Sequence, residues 1–186
     1  MDLIRHLTDL KQFALRVSLL TLFFVSSGCT TTPIQEPIAE PAMQAIQQAY
    51  RKTVTEALND PNENWTSGWA GNMWINFWGA NNLGLCYHWK YRVHAGVKET
   101  VHAQQWALSG IVINRGTSNE HHAVVVYDPA RINADAILSA SNLQPVYVLD
   151  PWRQGQADIY HIQDWLKLPT TVYTAASLIP INKTQK

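Results

Sequence analysis

The sequence has no net charge, no long apolar run and only two cysteines. Each of these features excludes or limits a class of structure or function. Its 14 basic and 14 acidic side chains give a formal net charge of +0 at pH 7, so it lacks the basic footprint that nucleic-acid-binding proteins carry. The apolar run at residues 17–25 (VSLLTLFFV) has about nine residues, whereas a transmembrane helix needs roughly 20. We therefore expect no nucleic-acid partner and no membrane-spanning helix in that segment.

The composition is that of one ordinary folded domain behind a targeting segment. Hydrophobic residues make up 46% of the 186 residues, which suffices to build a core, and no long polar tract indicates disorder. The chain shows no internal repeat. Its eight tryptophans fit a core filled with large rings or an aromatic binding cleft, and the sequence alone leaves both open.

The N-terminus carries the features of an export signal. Basic residues precede the apolar run, whose length fits a secretory signal, and the run ends at residues 26–29 (SSGC). Small residues before a cysteine resemble the lipobox of bacterial lipoproteins, although Ser26 stands where that family usually has Leu. The resemblance implies that residues 1–28 are a signal peptide and that Cys29 is lipidated. It also implies an envelope location, with Thr30 after the cysteine similar to lipoproteins of the outer membrane facing the periplasm. An ordinary signal peptide or an uncleaved anchor remains the alternative.

A linker separates this signal from the domain. Residues 29–41 contain three prolines and three threonines without an apolar period, which is typical of an extended linker. Residues 42–186 then form the predicted domain. If Cys29 carries lipid, Cys86 has no disulfide partner, and such a thiol is either buried and inert or reactive.

The order of predicted elements favours an α+β fold. Apolar spacing predicts a helix over residues 42–58, an irregular glycine-rich segment or short helices over 65–84, and a helix from residue 85 to 97. Mostly consecutive strands follow, which indicates an antiparallel sheet rather than a βαβ repeat. Predicted strands lie at residues 110–114, 122–127, 146–150, 159–161 and 170–174, with helical pieces at 134–140 and 162–168.

Three residues in this order have the chemistry of a thiol active site. Cys86 begins a helix, where free backbone N–H groups and a partial positive charge stabilise a thiolate and can receive an oxyanion. His122 begins a strand and shares a face with Val124 and Val126, which would fix its ring as a general base. Asp150 ends another strand and can orient the imidazole. His121 is the competing base; we prefer His122 because its neighbours on that face are apolar.

The Cys–His–Asp order resembles the papain-like and transglutaminase-like superfamily. The matching segments are residues 85–89 (LCYHW), 122–126 (HAVVV) and 149–152 (LDPW), and the resemblance extends from about residue 72 to residue 165. It implies an α+β fold in which N-terminal helices and the nucleophile-bearing helix pack on an antiparallel sheet. It further implies that Cys86 is the nucleophile, His122 the base and Asp150 the orienting carboxylate.

The resemblance also implies a substrate with an amide or ester bond, such as a peptide, peptidoglycan or a protein, and no cofactor. Papain-type members place a glutamine before the cysteine to hold the oxyanion. Here Asn81 or Asn82 is the nearest amide. We expect Trp78, Trp89 and Trp152 at the rim of a substrate cleft.

Two other readings of these residues are open. The same fold can serve a non-catalytic envelope lipoprotein as a binding or scaffolding module. The cysteine and histidines are also metal-ligand types, but no pair has a recognised zinc spacing, so we expect no metal site.

Overall fold

A computed structural model describes residues 32–78, 82–168 and 175–181, all within the unit Thr31–Lys186. Three longer helices come first: α1 (Pro41–Asn59), α2 (Gly68–Trp78) and α3 (Cys86–Ala103). Among the described residues, no helix is both long and apolar enough to cross a membrane. The signal segment and Cys29 lie outside the described residues, so their predicted roles stay predictions.

The long helices form where apolar residues recur at helical spacing. Helix α1 starts with Pro41 at its first position, where the missing N–H costs nothing. Its buried side chains follow a 3.6-residue period and include Met43, Ile46 and Tyr50. Helix α3 buries residues four apart, among them Val93 and Val97, and packs directly against α1.

Five antiparallel strands follow: β1 (Ala107–Ile113), β2 (His121–Tyr127), β3 (Val146–Leu149), β4 (Ile159–His161) and β5 (Ala176–Ile179). They are ordered β4-β3-β2-β1-β5 across the sheet. A 3₁₀ helix (Ala134–Ser139) precedes β3, and α4 (Ile162–Leu166) follows β4. The predicted α+β class with an antiparallel sheet is therefore confirmed. The predicted strand at residues 170–174 lies outside the described residues.

Both faces of the sheet are covered. On one face, Val124, Val126 and Leu149 pack against α1 and α3. On the other face, Ala123, Val125 and Val148 pack against the 3₁₀ helix and α4. Alternate residues of a strand point to opposite faces, so the side chains from Ala123 to Val126 alternate between two apolar cores. Burial therefore does not distinguish one face of β2 from the other.

A tight turn sets the start of α3. Gly84 has φ +133°, and a Cβ there would lie 2.0 Å from the carbonyl oxygen of Thr66. The backbone N–H of Thr66 donates to the carbonyl of Leu83 at 2.8 Å, which holds the two segments together. Nδ1 of His88 accepts hydrogen bonds from the N–H groups of Gly84 and Leu85, at 3.2 and 3.3 Å. The residues directly before Cys86 are thereby fixed.

We expect Gly84→Ala to lower the free energy of unfolding by more than about 3 kcal/mol, because it adds a backbone clash to an unfavourable φ. Gly116→Ala is the matched control: Gly116 has φ +81° but no atom within 4 Å of its Cβ position, so it should cost about 1–2 kcal/mol. Urea denaturation of both variants measures the difference. Equal costs would show that close approach to Thr66 is unimportant.

Candidate active site

Cys86 is the first residue of α3 and is 8% exposed, so its sulfur lies just below the surface. Its thiol donates to the carbonyl of Glu120 at 3.9 Å, which places it against the start of β2. Backbone N–H groups in the first turn of a helix have no partner within the helix. Those of Cys86 and Tyr87 are therefore suited to receive negative charge beside the sulfur.

Asp150 binds His121 in the interior. Nε2 of His121 lies 2.6 Å from Oδ2 of Asp150, and both side chains are almost fully buried. The indole N–H of Trp165 donates to the same oxygen at 2.8 Å, and the backbone N–H of Trp152 donates to Oδ1 at 3.2 Å. A buried carboxylate is stable when such donors surround it. The imidazole is therefore held through one nitrogen in a fixed orientation.

Cys86 acts on the other side of this pair. Its thiol contacts the carbonyl of Glu120, the residue before His121, at 3.9 Å, and Nδ1 is the imidazole nitrogen that is not bound to Asp150. Burial lowers the pKa of His121, but the charge and hydrogen bond of Asp150, with a smaller contribution from Cys86, outweigh it and raise the pKa to about 9. His121 is therefore protonated at neutral pH.

The contact with His121 lowers the pKa of Asp150. Burial raises the pKa of this carboxyl, but the positive charge of His121 and the hydrogen bonds from His121 and Trp165 leave it below its usual value. Asp150 is therefore ionised at neutral pH. The pair is a buried ion pair at the end of the sheet.

Two tryptophans cover His121. The ring of Trp152 lies 4.8 Å from the imidazole between centroids, and that of Trp165 lies 5.7 Å away in a stacked arrangement. Trp152 is itself held by a hydrogen bond from its indole N–H to Oδ1 of Asn72 at 3.3 Å. These rings keep water from the ion pair, which strengthens it.

The predicted pairing of His122 with Asp150 is not what the structure contains. The register of β2 and β3 pairs Val124 with Leu149, and one step further along places Ala123 opposite Asp150. Side chains opposite each other in an antiparallel pair share a face. Asp150 therefore lies on the face of His121, and His122 points to the other one.

His122 instead contacts Glu120. Its Nε2 lies 2.5 Å from Oε1 of Glu120, whose other oxygen accepts from the N–H of Gly116 at 2.6 Å. Burial lowers the pKa of His122, and the neighbouring Lys90 adds to that effect, against the raising influence of Glu120. Apolar neighbours did not distinguish the two histidines, since both faces of the strand are buried.

Of the remaining predicted site residues, only Trp152 lies at the site among those that the structure describes. Asn81 and the side chain of Trp78 lie outside the described residues. Asn82 is half-buried, and no hydrogen bond joins it to Cys86 in the described part of the chain. Trp89 does not form a cleft rim, because it is 1% exposed and packs on Trp65 with ring centroids 4.3 Å apart. Trp152 lies at the site, where it covers His121.

Sequence reasoning missed Lys90, which lies one turn after Cys86 on α3. It is 3% exposed, and its ammonium sits 4.3 Å from the centre of the Tyr91 ring. Burial lowers its pKa, while the charges of Cys86 and Glu120 act in the opposite direction. The signal in the sequence is the spacing of four residues between Cys86 and Lys90, which places the two side chains on the same side of a helix. Within residues 32–78, 82–168 and 175–181, no cluster of three His, Cys, Asp or Glu side chains is arranged to hold a metal ion.

Comparison of the chain with models of protein families, with curated proteins and with solved structures finds no match.

The ion pair predicts a pH dependence of stability. The raised pKa of His121 makes its contribution complete below the unfolded value of about 6.5 and lost as the pH rises through about 9. The lowered pKa of Asp150 makes its contribution complete above about 3.9 and lost at lower pH. We therefore expect the stability difference between the wild type and Asp150→Asn to be largest between about pH 4 and 6.5.

Urea denaturation across this pH range measures that difference. Burial and the charge of Asp150 raise the pKa of Asp158 to about 6, so the comparison is repeated in an Asp158→Asn background to remove its titration. A difference that does not change between pH 6 and pH 9.5 would contradict a charged His121–Asp150 pair.

Proposed function

We propose that the protein is a thiol enzyme that cleaves or transfers acyl groups at amide or ester bonds, with Cys86 as nucleophile, His121 as acid and base, and Asp150 as the orienting carboxylate. The observation that carries the proposal is the 2.6 Å contact between Nε2 of His121 and Asp150, with the Cys86 sulfur lying against the carbonyl of the residue just before His121. His121 thus takes the role that the sequence assigned to His122.

The first half-reaction follows from the contacts. The Cys86 thiolate attacks the carbonyl carbon and forms a C–S bond, while the π electrons of the carbonyl move to its oxygen. The N–H groups of Cys86 and Tyr87 are available to that oxygen. The proton on His121 passes to the leaving nitrogen or oxygen as its bond to carbon breaks, which leaves a thioester and a neutral imidazole.

The second half-reaction returns the enzyme to its starting state. Water or an amine attacks the thioester carbon, and Nδ1 of His121 takes its proton. The C–S bond then breaks, and the electron pair returns to sulfur. Water gives hydrolysis and an amine gives transfer. Asp150 stays ionised throughout and keeps Nε2 of His121 as its donor, so that Nδ1 alone exchanges protons.

We also propose that the fold is papain-like or transglutaminase-like. The proposal is supported by a cysteine at the start of a helix, a histidine at the start of the second strand after it and an aspartate at the end of the neighbouring strand. The Asp-Pro-Trp segment supports the likeness, since Trp152 covers the imidazole. The absence of a glutamine before Cys86 leaves backbone N–H groups as the oxyanion donors.

We further propose that the enzyme acts in the bacterial envelope, tethered by lipid on Cys29 through the linker before α1. Peptide, peptidoglycan and protein amide bonds are the substrate classes available there. The presence of Cys86, His121 and Asp150 together, in this chain order, favours an enzyme over a scaffolding module that retains only the fold.

Alkylation of Cys86 by iodoacetamide at pH 7 tests the role of each histidine. We expect His121→Ala to slow the reaction by about 10²-fold or more, since it removes the partner of the sulfur. His122→Ala, the adjacent matched control, should retain most of the rate. Mass spectrometry of the labelled peptide reads the rate. Equal effects of the two variants would show that His121 is not the catalytic histidine. Labelling of Cys86 only after denaturation would contradict the enzyme proposal.

An activated ester tests the covalent step. With p-nitrophenyl acetate we expect a burst of one equivalent of nitrophenol and an acetyl group on Cys86 in the intact-protein mass. Asp150→Asn should lower the burst rate at least about tenfold, and Cys86→Ser should abolish the modification. Acetylation at surface lysines with no change in Cys86→Ser would favour the scaffolding module.

A further inference from the structure

The outer face of α2 is apolar. Trp69, Met73 and Phe77 follow one another at four-residue spacing, and Ala70 and Trp74 form a second row beside them, so all five lie within one side of the helix. Trp69 is 72% exposed, Trp74 53% and Phe77 74%. A soluble helix normally turns charged or polar residues outward. Helix α2 has the reverse arrangement.

The inner face of α2 is fixed to the domain, so this orientation does not come from a loose helix. A Cβ at Gly71 would lie 2.6 Å from Oγ1 of Thr66, which shows how closely the backbone approaches. Oδ1 of Asn72 holds the indole of Trp152, and the N–H of Gly68 donates to the carbonyl of Trp152 at 2.5 Å. The helix is thus held at its start and on its inner side, with the aromatic side chains left outward.

No charged residue lies near this face in the sequence. Residues 64–89 contain no Asp, Glu, Lys or Arg, although 15% of the whole chain is charged. Exposed Trp and Phe side chains on a helix that has no charged residue of its own suit the boundary between lipid headgroups and acyl chains, where indole rings bury their apolar part and keep the N–H in contact with water.

The described chain begins near the loop that contains Gly155, and this loop contacts the residue before α2. The N–H of Ile34 donates to the carbonyl of Ile159 at 2.8 Å, and Ile34 lines a cavity together with Leu58 and Gly155. A Cβ at Gly155 would lie 2.9 Å from Oγ of Ser67, the residue before α2. Cys29 precedes Ile34 by five positions, so the chain length limits the distance between their Cα atoms to roughly 18 Å.

We propose that the outer face of α2 docks into the interface of a phospholipid bilayer, through Trp69 and Phe77. The lipid on Cys29, part of the function proposed above, keeps the domain within reach of the bilayer. The apolar face of α2 then sets the orientation of the domain on the membrane. The docking is independent of the acyl-transfer chemistry. Because α2 holds Trp152 over His121, it places the thiol site next to the membrane surface.

Quenching of tryptophan fluorescence by brominated lipid tests the docking. The full chain, carrying Cys86→Ala so that catalysis plays no part, is reconstituted in phosphatidylethanolamine–phosphatidylglycerol vesicles with or without acyl chains brominated near the headgroup. We expect strong quenching by the brominated lipid. Trp69→Glu with Phe77→Glu should reduce the quenching at least about threefold, because two anchoring rings then carry charge.

Leu143→Glu is the matched control. Leu143 is 94% exposed and lies outside α2, so the same substitution there should leave quenching unchanged. The mass of the purified chain reports whether Cys29 is lipidated; an unlipidated chain is added to the same vesicles, and the double variant should then bind at least about tenfold more weakly. Failure of lipidation is in this way separated from failure of docking.

Two results would overturn the proposal. One is equal quenching in the double variant and in Leu143→Glu. The other is a wild-type dimer in detergent that the double variant loses, together with no quenching in vesicles, which would assign the face to a second copy of the chain.

Discussion

The buried contact between His121 and Asp150 is the interaction on which the site depends. Neither charge is stable alone in the interior, since burial by itself lowers the pKa of the histidine and raises that of the carboxyl. Together, at 2.6 Å and with the indole N–H of Trp165 on the same carboxylate, they stay ionised. The pair fixes the ring and leaves Nδ1 as the nitrogen that is not bound to the carboxylate.

That contact in turn needs a sheet covered on both faces. Helices α1 and α3 bury one face, and α3 brings Cys86 to the start of β2. The 3₁₀ helix and α4 bury the other face, and α4 supplies Trp165. The thiol thus comes from a helix on one face of the sheet and the indole of Trp165 from a helix on the other, while His121 and Asp150 lie at the end of the sheet itself, where β2 begins and β3 stops.

Helix α2 connects this site to the surface. It contacts Trp152 through Asn72, so the helix with the most apolar exposed face also supports the ring that covers His121. The segment from residue 64 to residue 89, which has no charged side chain, spans α2 and the first turn of α3, where Cys86 lies.

The sequence by itself determined the α+β class, helices α1 and α3 and most strand positions, and it placed Cys86 at a helix start and Asp150 at a strand end. These predictions follow from local periodicity and from turn residues such as Asp128-Pro129. The sequence did not determine that Gly68–Trp78 is one continuous helix, which of two adjacent histidines contacts Asp150, or that Trp89 lies in the core. Only the register of β2 against β3 decided the histidine, because a shift of one residue exchanges the faces of a strand and both faces here are apolar.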